Sequence, residues 1–132
     1  MVLEFINIVT LTGGSKELRG QCLDDLSDCG TFLCHRVPKE EGSITINMET
    51  EYEPLDNALL DLAAKYLALD FTVVFKPKSD TFLKDWRGSI SIVEQNIFFS
   101  DNYEASGGYK LGSIYDVINK GGFSECILNF QT

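Results

Sequence analysis

Seven carboxylates and no Lys or Arg lie between Glu40 and Asp61, and three of them, Glu49, Glu51 and Glu53, alternate along a segment that reads as a strand. Side chains two apart on a strand share a face, about 6.6–6.8 Å from one another. These glutamates form one acidic row, and such a row suits a basic partner. The chemistry on offer is electrostatic. General acid catalysis needs one carboxyl desolvated beside an ionised neighbour, and a divalent ion needs carboxylates gathered by a tight loop. The pairs Asp24-Asp25, Glu40-Glu41 and Glu49/Glu51 carry neither pattern and read as solvated faces.

Cys29, Cys34 and His35, with Cys22 upstream, hold the residue types of a zinc site, yet there is no C-x₂-C pair. Cys34 and His35 are strand neighbours expected on opposite faces, which separates them as metal ligands and as a thiol–base pair. Leu18, Cys22, Leu26 and Cys29 recur at spacings of four, four and three, so Cys22 and Cys29 belong to the apolar stripe of a helix. Gly107-Gly108 and Gly121-Gly122 do not stand between a strand and a Lys-Ser or Lys-Thr helix start, so no phosphate cradle is expected. The basic cluster Lys76, Lys78, Lys84 and Arg87, interleaved with Phe75, Phe82 and Trp86, has the look of a single-strand stacking platform. Asp80 and Asp85 dilute it, and it is read as strand ends flanking a loop with Trp86 in the core. No metal or cofactor is expected, and no nucleophile and base can be named for an enzyme.

Composition narrows the classes. At 132 residues, 44% hydrophobic and 23% charged, the chain matches a single globular domain able to bury a core. Eleven basic against 20 acidic residues give a net charge of −9, which opposes contact with phosphate backbones and anionic lipid. Met1 leads into Glu4 and an alternating segment with no basic n-region or apolar h-region, so the expected location is cytoplasmic, with the four cysteines reduced.

The elements that would position these residues follow from periodicity. Phe5, Asn7, Val9 and Leu11 alternate with Ile6, Ile8 and Thr10 as in a central strand that Gly13-Gly14 ends. Ser15 caps a helix through about Asp28, with Gly30 placed as its left-handed C-cap. Thr31 to Val37 is a second strand, and the turn from Pro38 to Gly42 returns the chain into Ile44, Ile46 and Met48, alternating with Thr45, Asn47 and Glu49. Pro54 opens a second helix marked by Leu55, Leu59, Leu62 and Tyr66. Phe71 to Phe75 is a strand. Trp86 to Val93 and Ile97 to Ser100 form a hairpin turning near Gln95-Asn96. Asn102 to Gly112, with three glycines and two tyrosines, reads as a loop, Ser113 to Asn119 as a short helix, and Cys126 to Phe130 as an edge strand.

The first 75 residues thus run βαββαβ, the order of a ferredoxin-like antiparallel sheet with two helices on one face. A C-terminal β-hairpin would extend it within one domain spanning 1–132, with the core in 1–75 and the hairpin, loop and C-terminal extension in 76–132. The segments Asn7-Ile8-Val9-Thr10-Leu11-Thr12-Gly13, Ile46-Asn47-Met48-Glu49-Thr50-Glu51-Tyr52-Glu53-Pro54-Leu55 and Leu69-Asp70-Phe71-Thr72 resemble the ferredoxin-like domain of small phage and plasmid accessory proteins. The resemblance covers about the first two thirds of the chain. It departs at Tyr52 and at Glu53-Pro54, where members carry Trp and two prolines. What the resemblance implies is a mobile-element origin and no established enzymatic activity.

Exposed strand faces are commonly polar and charges blunt sheet edges, but like charges at successive same-face positions raise an energy that an isolated domain gains nothing by keeping. The expected function is a non-enzymatic, anti-CRISPR-like inhibitor that binds a basic nuclease or nucleoprotein defence complex through Glu49, Glu51, Tyr52 and Glu53. Tyr103 and Tyr109, in the glycine-bearing loop, are the second candidate surface. A toxin immunity protein has the same small, acidic character. A nucleic-acid-binding ferredoxin-like module is the rival of another class, and it would carry aromatics and Lys or Arg where Glu49 and Glu51 stand. Neither membrane nor direct nucleic-acid contact is expected. The isolated protein should therefore give no electrophoretic shift of single-stranded DNA or RNA at physiological salt; a shift abolished by Trp86→Ala with Lys84→Glu would put the rival first.

Overall fold

Strand β1, Glu4–Gly13, sets the pattern of the molecule: Phe5, Asn7, Val9 and Leu11 are fully buried, and the residues between them are half-buried. That period of two gives the strand one face in the core and a second face, here called the open face, against which no described helix packs. The computed structural model describes residues 4–36, 42–51, 57–78, 88–100 and 109–122, with the side chains of Cys34, His35 and Arg36 outside that description. The elements after β1 are α1 (Lys16–Leu26), β2 (Thr31–Arg36), β3 (Ser43–Glu51), α2 (Asn57–Lys65), β4 (Leu69–Pro77), β5 (Gly88–Val93), β6 (Asn96–Ser100), β7 (Tyr109–Ser113) and α3 (Ile114–Asn119).

The strands form one seven-stranded sheet in the order β2-β3-β1-β4-β5-β6-β7. Every adjacent pair is antiparallel. β1 lies between β3 and β4, with Val9 opposite both Ile46 and Val73. The fold is α+β. Cys22 and Leu26 of α1, Leu59, Leu62 and Ala63 of α2, and Ile114 and Val117 of α3 join the strand residues in one core cluster, so the three helices cover the same side of the sheet. Cys22 lies in that cluster and Cys29 packs against it, as the helical stripe requires.

Local chemistry explains the boundaries. Ser15 caps α1, its Oγ accepting the Leu18 N–H at 3.0 Å. At α3, Ser113 and Asp116 form a reciprocal capping box. The β5–β6 turn is made by Glu94 and Gln95, both at positive φ (50° and 67°), the backbone of a type I′ hairpin. Asp70 Oδ1 accepts the Glu94 N–H at 3.1 Å, and the Gln95 carbonyl accepts the Ile114 N–H at 3.0 Å, which ties the turn to α3.

Several expectations are corrected. Three helices cover the sheet rather than two. Tyr109 to Gly112, expected within a loop, belong to β7: pairing with β6 through a register shift, and burial of Leu111, override the glycine-rich local signal. Helix α1 ends at Leu26, where Ser27 in the right-handed region is the C-cap. Gly30 is needed for close approach instead, because a Cβ there would lie 2.5 Å from the Glu49 carbonyl oxygen. In β2 the register shifts between Phe32 and Cys34, leaving Leu33 48% exposed. The second helix is described from Asn57, so Pro54 and Leu55 lie outside the described residues, as do Trp86 and the segment from Cys126 to Phe130.

Replacing Gly30 by Ala should push β3 away from the turn after α1 and cost about 1–3 kcal/mol, as overpacking does. Urea unfolding of Gly30→Ala would read this as a lowered midpoint, and a wild-type midpoint would refute the close approach.

Candidate functional site: an acidic end on the open sheet face

Because Ile46 and Met48 point into the core, Glu49 and Glu51 of β3 project from the open face, as their parity requires. The sheet register adds a third carboxylate. Glu51 pairs directly across from Glu4 of β1, and Glu49 across from Ile6, which places Glu4 and Glu49 on a diagonal within reach of long side chains. Lys78, immediately after β4, donates its backbone N–H to the Glu4 carbonyl at 2.9 Å. That contact delivers its ammonium between two acids: Nζ lies 3.2 Å from Glu4 Oε2 and 3.1 Å from Glu49 Oε1.

The row expected from sequence is therefore not a line of bare charges. Glu49 is an engaged carboxylate with only 17% of its side chain exposed, whereas Lys78 is 49% exposed and Glu51 stands open at the strand end. Contact with the Glu49 carboxyl, and then with Lys78, holds Glu4 below its ordinary value. The Lys78 ammonium is raised by Glu49 and then Glu4. Even with Lys76, which lies across from Ile6, three carboxylates outnumber the lysines at this end of the face.

Beyond the acidic end the open face changes character in rows set by register. Asn47, Ile8 and Val74 lie side by side on β3, β1 and β4, and the next row is Thr45, Thr10, Thr72 and Ser91. Thr10 and Thr45 share a hydroxyl–hydroxyl hydrogen bond of 3.0 Å. Asn47 Oδ1 is buried and has no hydrogen-bond partner among the described residues. The face is thus apolar and hydroxyl-bearing in the middle and anionic at one end.

Tyr52, Glu53 and Tyr103 lie outside the described residues. Tyr109 is exposed on β7 in register with Phe99, which is itself opposite the core residue Ile90. It therefore belongs to the helix-bearing side. Five strand spacings separate β7 from β3, about 24 Å. Glu49 and Tyr109 are parts of two surfaces. Among the described residues, no three His, Cys, Asp or Glu side chains are grouped to hold a metal ion. No described helix is long and apolar enough to cross a membrane. Compared with protein families, curated proteins and solved structures, the chain matches none.

A second polar cluster joins α1 to α2. Asp25 Oδ2 accepts from Lys65 Nζ at 2.8 Å and from the Tyr66 hydroxyl at 2.5 Å. These residues line a shallow groove of about 510 Å³ with Leu18, Gln21 and Asp24. Lys65 also stands 5.4 Å from the Tyr66 ring centre. Lys65, then Tyr66, hold Asp25 below its ordinary value, and the same carboxylate raises the Tyr66 hydroxyl. A phenol so raised is a poor base at neutral pH, so the cluster acts as a clasp between helices. Cys22 is equally inert: burial first, then Asp25, pushes its thiol up to about 12. The sequence hid both clusters because their members are distant in the chain; Glu4 and Lys78 carried no signal of a shared site.

The Asp25 clasp has a testable pH signature. Its folded pKa lies below the unfolded one, so the unfolded chain takes up a proton first as the solution is acidified. The stabilisation is complete above the ordinary value of 3.8 and is lost as pH falls through the folded value. Asp25→Asn should flatten the acid dependence of the unfolding midpoint and also weaken its alkaline dependence where Tyr66 and Lys65 titrate, because Asp25 raises both. Identical acid limbs for variant and wild type would show the clasp absent in solution.

Proposed function

We propose that this protein is a non-enzymatic inhibitor that binds a basic, nucleic-acid-binding protein through the acidic end of its open sheet face. The observation that carries the reading is the convergence of Glu4, Glu49 and Glu51 on a face against which none of the three described helices packs. Net charge complements it: a chain at −9 steers towards a cationic surface and away from nucleic acid. Occupying that surface would compete with the phosphate backbone the partner normally holds. Successive carboxylates on one strand face stand at about twice the 3.4 Å rise per phosphate of a DNA strand, so the competition works by charge and coverage rather than by close imitation of DNA.

The ferredoxin-like assignment belongs to the same proposal. It is supported by the chain order βαββαβ across β1 to β4 and by the antiparallel strand order β2-β3-β1-β4, with β5, β6 and β7 as an added half-sheet. A mobile-element origin, and a nuclease or nucleoprotein defence complex as the target, are part of the same proposal and are supported by the sequence resemblance alone.

The experiment is capture from host lysate, followed by association and dissociation rates for wild type and for Glu49→Gln with Glu51→Lys. The captured protein should be basic, and its binding to DNA or RNA should fall as inhibitor is added. Removing rim charge should slow association about tenfold or more at low salt while leaving dissociation nearly unchanged. Folding should survive, because Glu4 remains to pair with Lys78 and Glu51 is exposed. Equal association rates in a folded variant would move the binding surface elsewhere.

A further inference from the structure

We infer that α3 and the β5–β6 turn form one conformational switch, a helical flap hinged at Gly112 and at Gly121-Gly122 whose undocking releases the left-handed turn and uncovers the core beneath Ile114 and Val117. This device is independent of the partner-binding surface.

The turn is its first half. A two-residue type I′ loop needs positive φ at both positions, which asparagine and glycine supply at least cost. Here the residues are Glu94 and Gln95, at 50° and 67°, where the Cβ of each crowds the carbonyl that follows. Such a backbone persists only where its surroundings hold it. Three hydrogen bonds do so. The Glu94 N–H donates to Asp70 Oδ1 at 3.1 Å, Asn96 Nδ2 donates to the Glu94 carbonyl at 3.2 Å, and the Gln95 carbonyl accepts the Ile114 N–H at 3.0 Å. The last donor is the first residue of α3, so the helix is one of the supports of the turn.

The helix is the second half. Six residues are too few to hold a helix in isolation, so α3 depends on its caps and its docking. Ile114 and Val117 are buried, whereas Tyr115 and Ile118 are exposed. Glycines at positive φ bracket the helix, Gly112 at 130° before it and Gly121 and Gly122 at 100° and 104° after it. Such positions absorb large backbone changes with little resistance. β7, which leads into α3, is bonded to β6 alone among the described strands, through a register shift between Ile97 and Phe98. Losing the bond from Ile114 removes a support from the turn, and relaxing the turn withdraws the acceptor from the helix. Each half therefore favours the matching state of the other.

The test is native-state hydrogen exchange of the full chain, read by NMR at the amides of Glu94, Ile114 and Lys120 and at those of β1. The Lys120 N–H donates to the Asp116 carbonyl at the far end of α3 and does not touch the turn. The three amides should exchange through one opening, at least about tenfold faster than β1. Gln95→Asn, which suits the left-handed region, should slow exchange at Lys120 about threefold or more. Ser113→Ala breaks the capping box and should quicken Glu94 and Lys120 by one common factor, about fivefold, because coupling is reciprocal. Val117→Cys should be labelled by a thiol reagent at that position, at a rate that falls by the Lys120 factor when Gln95→Asn is added. Exchange of Lys120 at the β1 rate, unequal factors at Glu94 and Lys120 in Ser113→Ala, an unlabelled Val117→Cys thiol, or an unchanged Lys120 rate in folded Gln95→Asn would each overturn the inference. Gln95→Gly, which removes the Cβ altogether, repeats the decisive measurement if the asparagine variant does not fold, and an unchanged Lys120 rate there refutes the switch as well.

Discussion

The register of β1 between β3 and β4 is the constraint on which the rest of the molecule depends. Phe5, Val9 and Leu11 are buried because that register points them at the helices. A slip of one residue would turn them to the open side and bring Ile6, Ile8 and Thr10 inward. Burial of each large apolar side chain is worth about 1.5–3 kcal/mol, so the slipped pairing loses heavily. Asn7 sharpens the choice. Its buried amide donates to Thr50 Oγ1 at 3.0 Å and, weakly, to the Met48 carbonyl at 3.5 Å. Only one alignment places those acceptors beside it, and a desolvated amide without partners costs about 1–3 kcal/mol.

The same alignment composes the open face. Nothing local brings Glu4 near Glu49; their meeting is a by-product of seating Phe5 opposite Thr50. Likewise Lys78 reaches the acids because Pro77 is paired with Phe5. Core packing on one side of the sheet thus fixes the spacing of charge on the other. The acidic end of the face is thus built on an interior strand paired on both sides.

Legibility followed the range of each interaction. Alternation along β3 could be read directly, because a strand with one dry face and one wet face carries its pattern in consecutive residues. The helix cap at Ser15 is equally local. The ion pair between Glu49 and Lys78 spans 29 residues and the Asp25–Lys65 contact 40, and neither leaves a trace in composition or spacing. Glu49 and Glu51 share one face, as alternation requires, but the contact that engages Glu49 comes from a lysine that the sequence places in a different cluster. β7 was missed for a related reason. Its glycine-rich stretch argues locally for a loop, and only the neighbouring β6 makes it a strand.

The central position of the first strand also has a consequence in time. β1 leaves the ribosome before either of its neighbours and carries apolar residues on both faces. Its contact with β4 requires synthesis to advance from Thr12 beyond Phe71, which takes roughly 3–12 s at translation rates of about 5–20 residues per second. Until β3 emerges the strand has no native partner, and until β4 emerges it has only one of its two neighbours. Asn7, Thr10 and Thr12 interrupt its hydrophobicity at intervals, and the acidic chain that follows repels copies emerging from adjacent ribosomes. The polar atoms that select the register in the finished sheet thereby serve the nascent chain as well, keeping its first strand soluble until its partners exist.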